Sequence, residues 1–512
     1  MEQQGSRNGW SRQREVWLTV AISALFGLVL LPPYLVKQNY LIWLMDGGIF
    51  AYCGQQWLNG GLVYVDFWDL KPPFIFLMNS IGLWLGRGSA AGVVALAGVS
   101  AMVFAGVFVW GLKRYCWAAR IAGLAAMFLW VAKLQALNSI GCFTLVPHLL
   151  ILLAFVREWE EENWGRWALC VGICGGIVLM ARPNQVFSSA VYAAVVLWRA
   201  VGRNRWLGLA RYSAGMLMSI GFLLGLVVQR GSLSDMWDAA IVTSSRYAAA
   251  KPLSAKLIYL AFGFENLGET GLFVLSLGVM VWGLLGWWRK DFGVPVTVLV
   301  ASLVLLLELG QGAASGRFYS HYLSPTIPAC GLLLVWLLDL AAKRKEFASP
   351  MVWVSVAGVL VLVLQVAHTT WQTEKMPVPE LELAGRIDKM VPADARAYVW
   401  AGNRNSIPFH LGRRSGSKYF APVTLTISEE IYKALMPEIM ADLERNRPEL
   451  IVDCGPPQLE YLFTESRRHL TAAGSGTGWD TPAIRQRLEQ LAGNYRFEFA
   501  DEATGCLVYL RR

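Results

Sequence analysis

Between Leu41 and Ser80 the chain gathers three carboxylates and a lysine, Asp46, Asp66, Asp69 and Lys71, among Trp43, Trp57, Trp68, Tyr52 and Tyr64. Lys71 is followed by Pro72-Pro73 and then by an apolar run. Proline suits the first turn of a helix and is costly inside one, so a helix is predicted to begin there. A lysine at that end adds to the positive pole of the helix macrodipole instead of offsetting it. The arrangement makes chemical sense when an anion binds there, held by the ammonium and by the backbone N–H groups of the first turn. A phosphate at a membrane surface is the obvious anion. The plainer reading has Lys71 reaching to lipid headgroups and the aromatic residues forming an interfacial belt. The acids count against it, because carboxylates gain nothing by crowding a bilayer edge. Asp66 and Asp69 either cap the helix beginning at Pro72 or pair with Lys71. Asp46 precedes Gly47-Gly48, an acid near membrane depth with close backbone access, and acids so placed are usually functional.

Two other stretches carry candidate anion-binding groups. LMARPNQ places Arg182 between an apolar run and a proline, and GQGAASGRFYSHYLSPTIPA carries Arg317, Tyr319, His321 and Tyr322 at a helix entrance. Arginine meets phosphate with paired, planar hydrogen bonds, whereas lysine acts as a point charge. Arg182 reads equally as a headgroup anchor, and His321 as a satisfied interfacial histidine. The long 229–269 stretch is rich in small residues and reads as a lid over a lipid-facing cleft, with Arg246 and Tyr247 as its contact residues. Asp394, His410 and Asp453, nearer the C-terminus, read as turn or strand-end polarity rather than as an acid–base pair.

The element that must position these groups is a membrane bundle. Of 512 residues, 55% are hydrophobic and only 16% charged, with a mean hydropathy of +0.43; a soluble domain carries about 25% charged residues. Apolar windows fall near 16–36, 91–112, 121–138, 141–156, 166–182, 186–199, 207–228, 270–288, 294–309, 322–341 and 350–370. They predict about 11 spans, or about 13 if 74–86 and 257–264 also cross. Counting the first span outward puts Arg7/Arg12/Arg14, Lys113/Arg114/Arg120, Arg157/Arg166, Arg199/Arg203/Arg205, Arg289/Lys290 and Lys343/Arg344/Lys345 on one side. That side is cytoplasmic by the positive-inside rule. Asp46, Lys71, Arg182, the 229–269 loop, Arg317 and the C-terminal residues then lie outside. The first apolar run lacks a small-residue cleavage site and reads as a retained helix. The net charge of +9 is scattered over short loops without a basic tract, which excludes a nucleic-acid partner.

From about residue 371 the character changes. VPELELAGRIDKM, SEEIYKALMPEIMADLERN and RQRLEQLAG read as helices, ARAYVWA and ELIVDC as strands, and YRFEFADEATGCLVYLRR as a closing hairpin. The alternation predicts a small α/β domain. GSGTGWD (474–480) has no strand before it and no helix directly after, so it reads as a linker rather than a phosphate loop. The eight cysteines form no metal-ligand spacing. Cys170 and Cys174 read as small packing residues one helical turn apart. Cys454 and Cys506 flank strand-like runs and can pair if the C-terminal domain is outside the cytoplasm.

The pattern Asp46, Tyr52, Gly60-Gly61, Tyr64-x-Asp66, Trp68-Asp69-x-Lys71-Pro72-Pro73 and Asn79 resembles the first outer loop of family 39-type glycosyltransferases. These belong to the GT-C superfamily and use polyprenyl-phosphate-linked sugars. MNSIGLWLG (78–86) also resembles the lipid A aminoarabinose transferase at the corresponding place, and GRFYSHYLSPTIP (316–328) a second family landmark. The resemblance covers roughly residues 15–370. It implies a mainly α, polytopic GT-C-type domain over 1–370, with its first outer loop at 37–73, followed by an extracytoplasmic α/β domain over 371–512. In it Asp46 takes the place of the general base acting on an acceptor hydroxyl. Lys71 takes the place of the lysine that holds the donor phosphate, with Tyr322 and Arg317 near it. The implied reaction is an inverting displacement at the anomeric carbon, with polyprenyl phosphate as leaving group. The implied partners are an undecaprenyl-phosphate-type sugar donor, an extracytoplasmic lipid, glycan or protein acceptor, and the lipids of a bacterial inner membrane. No cofactor is implied with certainty, and a divalent metal is compatible with the pattern.

The departures are specific. Gly47 stands where eukaryotic protein mannosyltransferases of this type carry a second acid, and Ile49 stands where the aminoarabinose transferase has an arginine. Leu145-Val146-Pro147-His148 stands where a second acid near a proline is common. Sugar and acceptor therefore do not carry over. A transporter or flippase of lipid-linked saccharide is the alternative, since it also needs a polar cleft and a bound phosphate but no base. Against it, charged residues concentrate on one face, and no inverted repeat with paired broken helices is visible.

Overall fold

A computed structural model describes residues 2–36, 46–134, 138–203, 206–249, 252–259, 272–289, 295–314, 320–343, 348–375, 377–401, 404–420, 429–454, 462–463 and 482–512. The chain is mainly helical. Among the described residues six helices are long and apolar enough to cross a membrane, including Ala90–Gly111, Ile140–Glu161, Leu207–Arg230 and Val296–Ala314. The shorter apolar helices Phe74–Leu85, Trp117–Ala132, Ala168–Ala181, Phe187–Val201 and Ser276–Gly286 accompany them. Leu217, Met218, Phe222 and Val228 of Leu207–Arg230 are exposed, a surface suited to hydrocarbon and not to water. The protein is a multi-pass membrane protein.

The first helix runs Glu2–Val29, earlier than the predicted 16–36 window, and a separate short helix follows at Pro32–Val36. The break falls where Pro32 and Pro33 end one hydrogen-bond ladder and fit the first turn of the next. As predicted, Pro72-Pro73 precedes a helix, Phe74–Leu85, with Pro73 at its N-cap position.

The chain forms two compact units. The first comprises Met1–Lys37, Val94–Phe222 and Pro252–Glu374. Its core holds Phe104, Phe108, Leu152, Leu305 and Leu332. The second comprises Gln38–Val93, Leu223–Lys251 and Lys375–Arg512.

The second unit holds the only sheet among the described residues. Its strands are β1 (Ala397–Ala401), β2 (Leu450–Cys454), β3 (Tyr495–Asp501) and β4 (Cys506–Arg511), in the order β1-β2-β4-β3. β1 and β2 are parallel, and the other pairs are antiparallel, with a bulge between Phe497 and Phe499. The helices Pro379–Ile387, Glu429–Asn446 and Pro482–Gly493 lie where the sequence predicts them. Leu383 and Ile387 pack with Val399, Val452 and Val508. β2 is buried along its whole length, as a central strand covered on both faces must be. Cys454 and Cys506 are register partners across β2 and β4 and are joined by a disulfide.

The loop between the helices Gly47–Leu58 and Phe74–Leu85 is tied into this unit by backbone hydrogen bonds. Trp68 N donates to Lys418 O at 3.0 Å, Val63 N to Arg230 O at 2.7 Å, and Ser232 N to Val63 O at 3.3 Å. A short helix absent from the sequence reading, Ile407–Leu411, packs near the helix Gly47–Leu58, where Gln55 Nε2 donates to Phe409 O.

Candidate functional site

Asp46 occupies the N-cap position of Gly47–Leu58, yet its side chain makes no capping hydrogen bond. Its carboxylate instead faces the Lys71 ammonium, with Oδ2 3.9 Å from Nζ. The helix behind it is locked to the α/β part of the unit: Tyr52 Oη donates to Arg413 O at 3.0 Å and Gln56 Nε2 to the same carbonyl at 3.3 Å. Gly48 allows a close approach, because a Cβ there would meet the Asn405 carbonyl oxygen at 2.8 Å. Only a residue without a side chain fits that contact.

Lys71 reaches its place through a compact loop. Leu62 N donates to Asp66 Oδ2 at 2.8 Å, and Lys71 N to Asp69 Oδ1 at 2.9 Å. The two aspartates therefore brace turns, and neither caps the helix after Pro73, which has no side-chain cap. The fully buried Tyr64 has φ +67° and donates its hydroxyl to Lys71 O at 2.7 Å. A left-handed backbone costs a bulky residue on the order of 1–2 kcal/mol, so surrounding contacts must hold it. The edge contact with Phe76, ring centroids 6.1 Å apart, is one of them. Burial raises the Asp69 carboxyl to about 6; Lys71 opposes the rise and Asp46 adds to it.

Residues 229–249 of the predicted lid meet this loop and the α/β part of the same unit. Ser244 Oγ donates to Leu70 O at 3.0 Å, and Lys418 pairs with Asp235 at 3.7 Å. Arg246 is exposed on the helix Ser244–Ala249. The Tyr247 side chain lies outside the described residues.

Arg182 and Tyr322 belong to the first unit and meet each other. Arg182 ends the helix Ala168–Ala181 in an extended conformation, and its guanidinium lies 4.2 Å from the centre of the Tyr322 ring. His321 stands edge-on to the same ring, centroids 4.8 Å apart. Arg317 lies outside the described residues.

Asp453 behaves as the sequence suggests, accepting from Leu462 N at 2.8 Å and Phe463 N at 3.1 Å. His410 is held down to about 4 by burial. Among the described residues no group of three His, Cys, Asp or Glu side chains is placed to hold a metal ion. Tyr64, which in the sequence is only one member of the motif, and the buried Glu308 are brought forward by the tertiary structure. An acid inside an apolar span is the signal that flags Glu308.

No protein-family model matches the chain, and no curated protein does. Solved structures match it over nearly its whole length, among them two of one protein. ArnT from Cupriavidus metallidurans bound to undecaprenyl phosphate has a TM-score of 0.58 at 16% identity, covering 98% of both chains. The same protein in the apo state has a TM-score of 0.60, again at 16% identity and 98% coverage of both chains. The chain thus has the fold seen in ArnT.

Proposed function

We propose that this protein is an integral-membrane glycosyltransferase that moves a sugar from a polyprenyl phosphate to an extracytoplasmic acceptor. The observation that carries the reading is the Asp46 carboxylate facing the Lys71 ammonium at 3.9 Å, each group at the start of a helix, in a chain with the fold of ArnT. One of the ArnT structures holds undecaprenyl phosphate, the lipid class assigned here to the donor.

In this reading Lys71 binds the donor phosphate, and a phosphate that takes up its charge releases Asp46 for the acceptor. The acceptor oxygen attacks the anomeric carbon while its proton passes to Asp46. The bond from that carbon to the phosphate oxygen breaks on the opposite face. Its electron pair stays with the phosphate, and the configuration inverts. A positioned base contributes about 100- to 10,000-fold. Positive charge placed in advance at the leaving oxygen lowers the barrier further.

Arg182, Tyr322 and Arg317 are assigned to the same ligand class, a lipid-linked phosphate. Asp66 and Asp69 shape the loop, and His321, Arg246 and Tyr247 are assigned to acceptor and lid contacts. The protein sits in a bacterial cytoplasmic membrane with its N-terminus inside and its α/β part outside. The Cys454–Cys506 disulfide supports that orientation, because such bonds persist in oxidising compartments.

Native mass spectrometry with undecaprenyl phosphate tests the site. Wild type and Asp46→Asn should bind the lipid, and Lys71→Ala should not. Asp46→Asn should also lose transfer, whereas a flippase of lipid-linked saccharide would keep working. Equal weak binding by all three proteins would remove Lys71 as the phosphate anchor.

A further inference from the structure

The first unit buries a carboxylate, Glu308, that the reaction above does not use. It lies in the apolar helix Val296–Ala314 and is 0% exposed. An acid inside a membrane span is costly and is retained where it does something specific. Glu308 accepts hydrogen bonds from Ser188 Oγ and from Gln311 Nε2, the latter at 3.0 Å, and His148 Nδ1 lies 3.6 Å from its Oε1. These partners come from the helices Ile140–Glu161 and Phe187–Arg203 and from its own helix.

The cluster surrounds the short turn that carries Arg182. Gln185, at the end of the 3-10 turn Pro183–Gln185, is buried and lies against the His148 imidazole, and its N–H donates to Arg182 O at 2.9 Å. Asn184 Nδ2 donates to Gln311 O at 3.5 Å. The same face of Val296–Ala314 reaches Tyr322, because a Cβ on Gly312 would lie 3.4 Å from the Tyr322 carbonyl oxygen. Both partners of the Arg182–Tyr322 contact thus rest on the helix that contains Glu308.

We infer that Glu308, with His148, is a positioning residue that holds the Arg182 turn so that its guanidinium lies on the Tyr322 ring, ready for an anionic lipid headgroup. The inference rests on the assignment of Arg182 to a lipid-linked phosphate. Glu158, buried at the other end of the same His148 helix, provides the contrast. It accepts from Tyr192 Oη at 2.7 Å, Gly165 N at 3.0 Å and Trp167 N at 2.5 Å, none of them in the Pro183–Gln185 turn next to Arg182. It should matter for stability alone.

The test is the affinity of the purified full-length chain for undecaprenyl phosphate. Glu308→Leu leaves buried donors unpaired and should weaken binding about tenfold or more. Glu308→Gln keeps the shape and a hydrogen-bonding oxygen and should stay within about threefold. Arg182→Ala should also weaken binding, and adding Glu308→Leu to it should cost nothing further, because the two act through one contact. Glu158→Gln should lower thermal stability without changing affinity. Should Glu308→Leu fail to fold, Ser188→Ala alone and in the Arg182→Ala background reads the same coupling. Losses that multiply in the double variant overturn the inference while leaving Arg182 as a phosphate ligand. An Arg182→Ala variant of unchanged affinity overturns that assignment and the inference with it.

Discussion

The hydroxyl of Tyr64 donates to the backbone carbonyl of Lys71 across 2.7 Å, from a residue whose own φ is +67°. The bond closes the loop between the Gly47–Leu58 and Phe74–Leu85 helices and sets where the lysine leaves the backbone. Tyr64→Phe removes only that bond and should cost about 1 kcal/mol of stability. If Lys71 binds the donor phosphate, the donor KM should rise several-fold with kcat less affected. Steady-state kinetics in detergent or nanodiscs would separate the two.

Asp69 makes stability depend on pH. Its folded-state pKa of about 6 lies above the ordinary 3.8, so the fold favours the neutral acid. The stabilisation is fully present below pH 3.8 and is lost as pH rises through about 6. At neutral pH the buried charge costs about 3 kcal/mol. Thermal melts should therefore show this contribution growing from pH 7 toward pH 5. Asp69→Asn, which keeps an acceptor for Lys71 N, should flatten that part of the profile and melt higher than wild type at pH 8.

Gly48→Ala would drive a methyl group to 2.8 Å from the Asn405 carbonyl oxygen. Backbone cannot move aside as a flexible side-chain end can, so the start of the Asp46 helix must shift. Overpacking of this kind costs about 1–3 kcal/mol. Transfer activity should fall at least about tenfold, since misplacement of about 1 Å at a reacting group can cost about 100-fold. An unchanged kcat would show that Asp46 tolerates displacement, which a general base should not.

The disulfide gives a test of both stability and compartment. Cys454 and Cys506 are separated by 52 residues, and closing such a loop restricts the unfolded chain by about 4 kcal/mol. Cys454→Ala with Cys506→Ala should lower the melting temperature of the second unit. In intact cells, an impermeant thiol reagent should label the wild-type pair only after reduction. Labelling without reductant would contradict an oxidised, external pair.

Arg246 offers a protease site on a segment tied to the Asp69–Lys71 loop by Ser244. Limited trypsin cleavage there should slow when undecaprenyl phosphate is added, if the segment closes over bound lipid. The same cleavage rate with and without lipid would remove the lid assignment.

Properties that depend on neighbouring residues were legible in the sequence. The apolar windows declare a polytopic membrane chain, because about 20 apolar residues are what a bilayer demands. Lys71-Pro72-Pro73 marks the following helix start, because a proline ring suits the entrance of a helix and is costly inside one. The C-terminal helices and strands follow from patterns a few residues long, and all six segments read from them lie where predicted. What the tertiary structure alone decided are the pairings across long separations. Asp46 meets Lys71, Arg182 meets Tyr322, and Cys454 falls opposite Cys506. Glu308 draws partners from residues 148 and 188, far away in the chain. No local preference encodes such contacts. They arise when burial brings distant segments together, and each buried polar group must then find its hydrogen bonds among whatever the packing has placed within reach.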